Sequence, residues 1–142
     1  MKRAWIIIAG LAAGCMGYDE IEAPPAAVVN HKPYIESADP AEGIVYLKVG
    51  DSKMFRVVID DPDGDRFFGY RWKLNGDVQG NGNYYKFTGT RVALEDLVVT
   101  VWDCPGVGVK NNFAGLASCQ ENPPDPNSTV VYRWAVKVEP QG

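Results

Sequence analysis

The chain has 142 residues, with 14 Lys and Arg against 18 Asp and Glu and a formal net charge of −4. That length suits one domain of ordinary size with its own core, plus flanking segments. The acidic balance argues against nucleic acid and anionic lipid headgroups as partners, because both select clustered positive charge.

The first segment, MKRAWIIIAGLAAGC, sets Lys2 and Arg3 before an apolar run from Ala4 to Ala13. Roughly ten apolar residues behind a basic start match the core of a signal peptide. They are too few to cross a bilayer, which takes roughly 20. The segment ends in Leu11-Ala12-Ala13-Gly14-Cys15, small residues directly before a cysteine. This ending resembles the lipobox of bacterial lipoproteins, with Leu11 one place earlier than that family's usual leucine. The resemblance implies that residues 1–14 are a lipoprotein signal peptide cleaved after Gly14 and that Cys15 is lipidated with a thioether diacylglycerol. An ordinary signal containing a plain thiol is the competing reading. In the resembled lipoproteins an Asp after the acylated cysteine signals inner-membrane retention in some bacteria. Met16 stands there instead, so the expected location is the outer membrane, facing either periplasm or exterior. Cleavage removes two positive charges and leaves a net charge of about −6, an ordinary value for solubility.

Three cysteines in an exported chain leave one over. Acylation of Cys15 accounts for the odd one. Cys104 and Cys119 can then form a disulfide in an oxidising compartment; closing a loop of about 15 residues contributes roughly 3 kcal/mol in the chain-entropy model. Free or metal-bound thiols are the alternative, although a four-ligand zinc site is short of donors when His31 is the sole histidine.

Residues 15–32 contain Pro24-Pro25, small side chains and no helical period, and are expected to be the acylated cysteine and a flexible linker. Fully extended, roughly 17 residues reach at most about 55 to 60 Å. Residues 33–140 are expected to be one β domain. Six runs carry strand character: 46–49, 55–59, 68–74, 84–88, 97–102 and 130–138. Phe68, Tyr70, Trp72 and Leu74 alternate with Arg71 and Lys73, and Val130, Tyr132, Trp134, Val136 and Val138 share one face. Asn75-Gly76 favours a tight turn with positive φ. With no amphipathic helix of ten or more residues and frequent Gly, Pro and Asn between short strands, the expected fold is an all-β antiparallel sandwich filled in part by Trp72, Trp102 and Trp134.

Asp61-Pro62-Asp63-Gly64-Asp65 after a strand, then Tyr70-Arg71-Trp72, then Val99-Thr100-Val101-Trp102-Asp103, resembles bacterial immunoglobulin-like domains of the PKD and cadherin-like kind. The resemblance covers about residues 33–138. It implies an immunoglobulin-like sandwich of about seven strands, used in adhesion or as a spacer. Two features depart from the family: a single copy of the domain, and a loop from Asp103 to Thr129 much longer than a hairpin needs. Long loops in compact domains are commonly functional.

The cluster Asp60, Asp61, Asp63 and Asp65 gathers hard oxygen ligands of the kind calcium takes. Asp61, Asp63 and Asp65, with Asp103 if its strand ends beside this turn, form a possible calcium site. The spacing departs from an EF-hand, since Gly64 precedes the third Asp and no distal Glu follows. The alternative is a turn made by Pro62 and Gly64 with Asx hydrogen bonds from Asp61 and Asp63.

For catalysis the inventory is thin. His31 lies in the linker with no interpretable nucleophile partner, no phosphate-binding or metalloprotease motif occurs, and Glu95-Asp96 suits a solvated turn better than a glycosidase pair. The chain is therefore expected not to be an enzyme. Asn122-Pro123-Pro124-Asp125-Pro126-Asn127 favours extended polyproline geometry, either as a partner-binding segment or as a stiff connector. Phe113, Pro123 and Pro124 are the candidate partner contacts, with another envelope protein as the expected partner. A polysaccharide or peptidoglycan bound on exposed aromatics such as Tyr84, Tyr85 and Phe113 is the second expectation, and a purely structural spacer the third.

Overall fold

The computed structural model describes residues 29–107 and 113–142. The expected signal peptide, the lipidation site Cys15 and the linker up to residue 28 lie outside them. The elements run β1 (Tyr34–Asp39), β2 (Ile44–Lys48), β3 (Ser52–Asp60), β4 (Phe68–Leu74), β5 (Asp77–Gly80), β6 (Tyr84–Thr88), β7 (Ala93–Asp103), α1 (Leu116–Glu121) and β8 (Thr129–Glu139).

Two sheets result, one ordered β1-β3-β6 and the other β2-β8-β7-β4-β5. All neighbours are antiparallel except β2, which runs parallel to β8 with Val45 opposite Val136. In immunoglobulin nomenclature β1, β3 and β6 take the places of strands A, B and E, while β4, β7 and β8 take those of C, F and G. β2 continues the first strand across to the other sheet, and β5 adds an eighth strand at its far edge. The fold is an immunoglobulin-like β-sandwich.

The six strand runs legible in the sequence are all present, and two strands escape its periodicity. β1 contains an irregularity between Ile35 and Ser37, so its core-facing residues Ile35 and Ala38 are three apart rather than two. A bulge of this kind erases the alternation by which a half-buried strand is recognised. β5 is four residues long and mostly exposed. Its hairpin is built on Asn75 and Gly76 at φ 49° and 90°, the paired positive angles of a type I′ turn. Asn75 also ties this turn to β7, accepting from the Asp96 N–H at 2.8 Å and donating to Glu95.

The core lies between the sheets. Phe55 and Val57 of β3 and Phe87 of β6 meet Trp72, Leu97, Val99, Val101, Trp134, Val136 and Val138 of the larger sheet. Trp72 stacks on Trp134 at 5.9 Å between ring centroids, and Phe55 meets Trp134 edge-on at 5.2 Å. Each of these indoles is buried only because its N–H finds an acceptor: Trp72 donates to the Gly82 carbonyl and Trp134 to that of Pro40, both at 2.8 Å.

Trp102 corrects the expectation that all three tryptophans fill the sandwich. Leu97, Val99 and Val101 point inward, so strand alternation sends Trp102 to the opposite, outer face of the sheet. It is nevertheless 1% exposed, in a second small cluster with Cys104 and Cys119.

Candidate functional site

What buries Trp102 is the segment following β7. Cys104 and Cys119 are joined by a disulfide with Cα atoms 5.9 Å apart, within the usual span. Beyond the bond, α1 lies against β4 on the outer face of the five-stranded sheet. The indole N–H of Trp102 donates to the Cys119 carbonyl at 2.6 Å. Arg71, from β4, stands 5.4 Å over the Trp102 ring and donates to the Glu121 carbonyl at 2.8 Å and the Asn122 side chain at 3.2 Å. One guanidinium thus holds the ring by cation–π attraction and caps the last turn of α1.

The close approach depends on Gly69, which faces Trp102 across the β4–β7 pair. A Cβ there would fall 2.2 Å from the indole ring. Sequence reasoning placed Gly69 in a strand without a role; the signal available was a glycine inside a strand, which often marks close approach of another group.

The disulfide-closed cover carries a shallow groove of about 440 Å³ lined by Cys104, Pro105, Val107, Ser118, Pro123 and Pro124, among others. Pro123 and Pro124 therefore come together with the disulfide. Phe113, half exposed, meets Phe67 edge-on at 5.6 Å, and Phe67 in turn packs on the Trp102 cluster. The aromatics considered for sugar stacking do not form one platform: Tyr84 faces solvent, whereas Tyr85 turns inward and stacks on Trp72 at 5.8 Å.

Beside the cover, at the same end of the sandwich, the acidic residues gather. Asp61 Oδ1 accepts from the Asp63 N–H at 2.8 Å and the Asp65 N–H at 3.4 Å, which is the Asx-turn chemistry expected of Asp61, whereas Asp63, expected to bond a nearby N–H in the same way, accepts from His31 instead. Asp61, Asp63 and Asp65 each present a carboxylate oxygen within 4.8 Å of the others. Asp103 lies next to them, but its oxygens have other uses: Oδ2 accepts from Asn30 at 2.7 Å and Oδ1 from Ser128 at 3.0 Å. Asp60 is separate again, accepting from the Tyr34 hydroxyl at 2.6 Å. That bond lowers the Asp60 carboxyl below its ordinary range and raises the Tyr34 phenol.

His31, expected in a free linker, is engaged. Its backbone N–H donates to Asp63 Oδ2 at 2.5 Å, and Nδ1 lies 2.8 Å from Oδ1. These contacts raise the imidazole above its ordinary value, chiefly through the side-chain hydrogen bond, and lower Asp63, chiefly through the backbone one. Asp65 moves the other way: burial, and then the neighbouring charges of Asp61 and Asp103, raise its carboxyl. Asn30 and Ser128, which fix Asp103, carried no recognisable pattern in the sequence because their partners lie 73 and 25 residues away.

The described residues thus define an immunoglobulin-like β-sandwich with a disulfide-closed cover on one sheet and an acidic turn at its edge. No protein-family model matches the chain, and no curated protein matches it in sequence. A quinonprotein alcohol dehydrogenase-like protein from Bacteroides thetaiotaomicron is similar in fold, with a TM-score of 0.52 at 12% identity over 78% of this chain and 21% of that one. A CARDB domain from Pyrococcus furiosus aligns over 76% of this chain and 96% of its own, at 15% identity and a TM-score of 0.47. The chain spans about a fifth of the Bacteroides protein's length, and at these identities the likeness concerns fold alone.

Proposed function

We propose that this chain is a noncatalytic bacterial envelope lipoprotein, lipidated at Cys15, that displays its β-sandwich to another envelope protein. In this reading residues 1–14 direct export, residues from Cys15 onward form the tether, and the lipid sits in the outer membrane. The observation that carries the reading is the cover itself. A disulfide, a cation–π contact and a helix cap fix a loop far longer than its strands require, and leave Pro123 and Pro124 on an open groove. Rigid, proline-lined surfaces lose little entropy on binding. A noncatalytic role agrees with His31, the sole histidine, being held by the carboxylate of Asp63 through both its backbone N–H and its ring.

The test is in-cell photo-crosslinking from positions 113 and 124, with position 54, on the outer face of the smaller sheet, as comparison. A discrete adduct from the first two and none from the third is the expected result. Adducts that ignore position would overturn the assignment of the cover. Radiolabelled palmitate should enter the wild-type chain and not Cys15→Ser; label in both would overturn lipidation at that residue.

A further inference from the structure

The acidic turn contains one atom that the rest of the fold does not explain. Asp61 is only 6% exposed, yet its Oδ2 has no hydrogen-bond donor among the described residues, while Oδ1 already accepts from two turn N–H groups. A buried carboxylate oxygen without a partner carries a desolvation cost that nothing offsets. The same residue is one of three whose carboxylate oxygens come within 4.8 Å of one another. Calcium is held by oxygens at 2.3 to 2.6 Å, so ligands on opposite sides of one ion stand up to about 5 Å apart, and the three carboxylates fit that sphere.

We propose that Asp61 Oδ2, with Asp63 and Asp65, binds a calcium ion at the edge of the sandwich. The ion satisfies the orphaned oxygen and relieves the crowding of like charge, and water completes its coordination, as calcium's flexible geometry permits. Asp103 stands outside the group of three whose oxygens approach one another, and its own accept from Asn30 and Ser128; the Asp63 oxygens accept from His31 but belong to the group, and each keeps a second lone pair for the ion. The site stands where three segments converge. They are the docked residues Asn30 and His31, the turn after β3, and the end of β7 that leads into the cover. Calcium there stiffens the junction between tether and cover. The assignment is independent of the partner-binding reading above.

The experiment is calorimetric titration of calcium chloride into the full chain in detergent, stripped beforehand with EDTA. Wild type should bind one ion saturably, and Glu42→Gln, on an exposed turn residue, should bind as wild type does. Asp61→Asn keeps an oxygen to accept the two turn N–H groups while replacing the other oxygen with an amide, and should weaken binding at least tenfold. Should Asp61→Asn fail to give the wild-type circular dichroism spectrum, Asp65→Asn serves in its place, with the same loss expected. Absence of saturable binding by wild type, or undiminished binding in the folded variant, would overturn the site and leave the Asp61 oxygen to a water molecule alone.

Discussion

Trp102 donates its indole N–H to the carbonyl of Cys119, so the most buried ring outside the main core is hydrogen-bonded to the half of the disulfide that arrives last in the chain. Ring and disulfide pack in one small cluster, separate from the Trp72–Trp134 core. Replacing Cys104 and Cys119 by serine should therefore loosen the cover before the sandwich. Urea denaturation should show a loss of about 3 kcal/mol, and tryptophan emission should shift red as Trp102 meets water, while the far-ultraviolet β signal persists. Loss of the β signal together with the red shift would mean that sandwich and cover are a single unit.

Gly69 permits that cluster to seat. Gly69→Ala drives a methyl group into the Trp102 ring, and overpacking of this kind costs about 1 to 3 kcal/mol. Alanine at Gly43, where a Cβ meets nothing within 4 Å, should be close to neutral. Equal stability of the two variants by thermal denaturation would contradict the close approach.

Arg71, two residues along β4 from Gly69, acts on the same cluster. Arg71→Ala removes both the cation–π contact and the cap on α1, with an expected cost of about 1 to 2 kcal/mol. Arg71→Lys keeps the charge but loses the fork that reaches Glu121 and Asn122 together, and should recover only part of the loss. Full recovery by lysine would reduce the contact to simple charge.

The chain's single histidine gives an unobstructed nuclear magnetic resonance titration. In metal-free buffer His31 should titrate above 6.5, because the Asp63 hydrogen bond and charge favour its protonated form. A folded value raised above the unfolded one means that the contact contributes fully below about pH 6.5 and is lost as pH rises through the folded value. Asp63→Asn should return the titration toward 6.5, and added salt should do so in part, since the ring is exposed. An unchanged midpoint in Asp63→Asn would show that the ring does not engage that carboxylate in solution.

Most of the sandwich was legible because its signals are local. Alternation in β4 and β8 fixes which residues meet the core, and Asn75-Gly76 fixes one turn. Ile35 and Ala38 were illegible because a bulge breaks their period. Trp102 shows the limit of composition: an aromatic residue in a strand suggests burial, but only its parity with Val101 tells which face is buried. Nothing local says that a loop will return to cover that face. Cysteine count suggested that Cys104 and Cys119 pair; that the pair closes over Trp102, with Arg71 and Gly69 shaping the seat, depends on contacts between distant segments. The acidic turn was visible as a motif. Its division into Asp61 with a spare oxygen, Asp63 held by His31, and Asp103 held by Asn30 and Ser128 was not, because carboxylates adjacent in sequence are sorted by partners far along the chain.

The hydrogen bond from Asn30 to Asp103 has a consequence for altitude. It brings the N-terminal segment onto the domain at the end where β7 finishes and β8 begins, which is also the end bearing the cover, whereas the C-terminus leaves from the opposite pole beside β2. Fifteen residues separate Cys15 from Asn30, a leash of at most about 50 Å when fully drawn out. A lipid at Cys15 would thus tether the domain by the pole that bears the cover, with the C-terminus at the far end, one 11-residue strand or roughly 35 Å away.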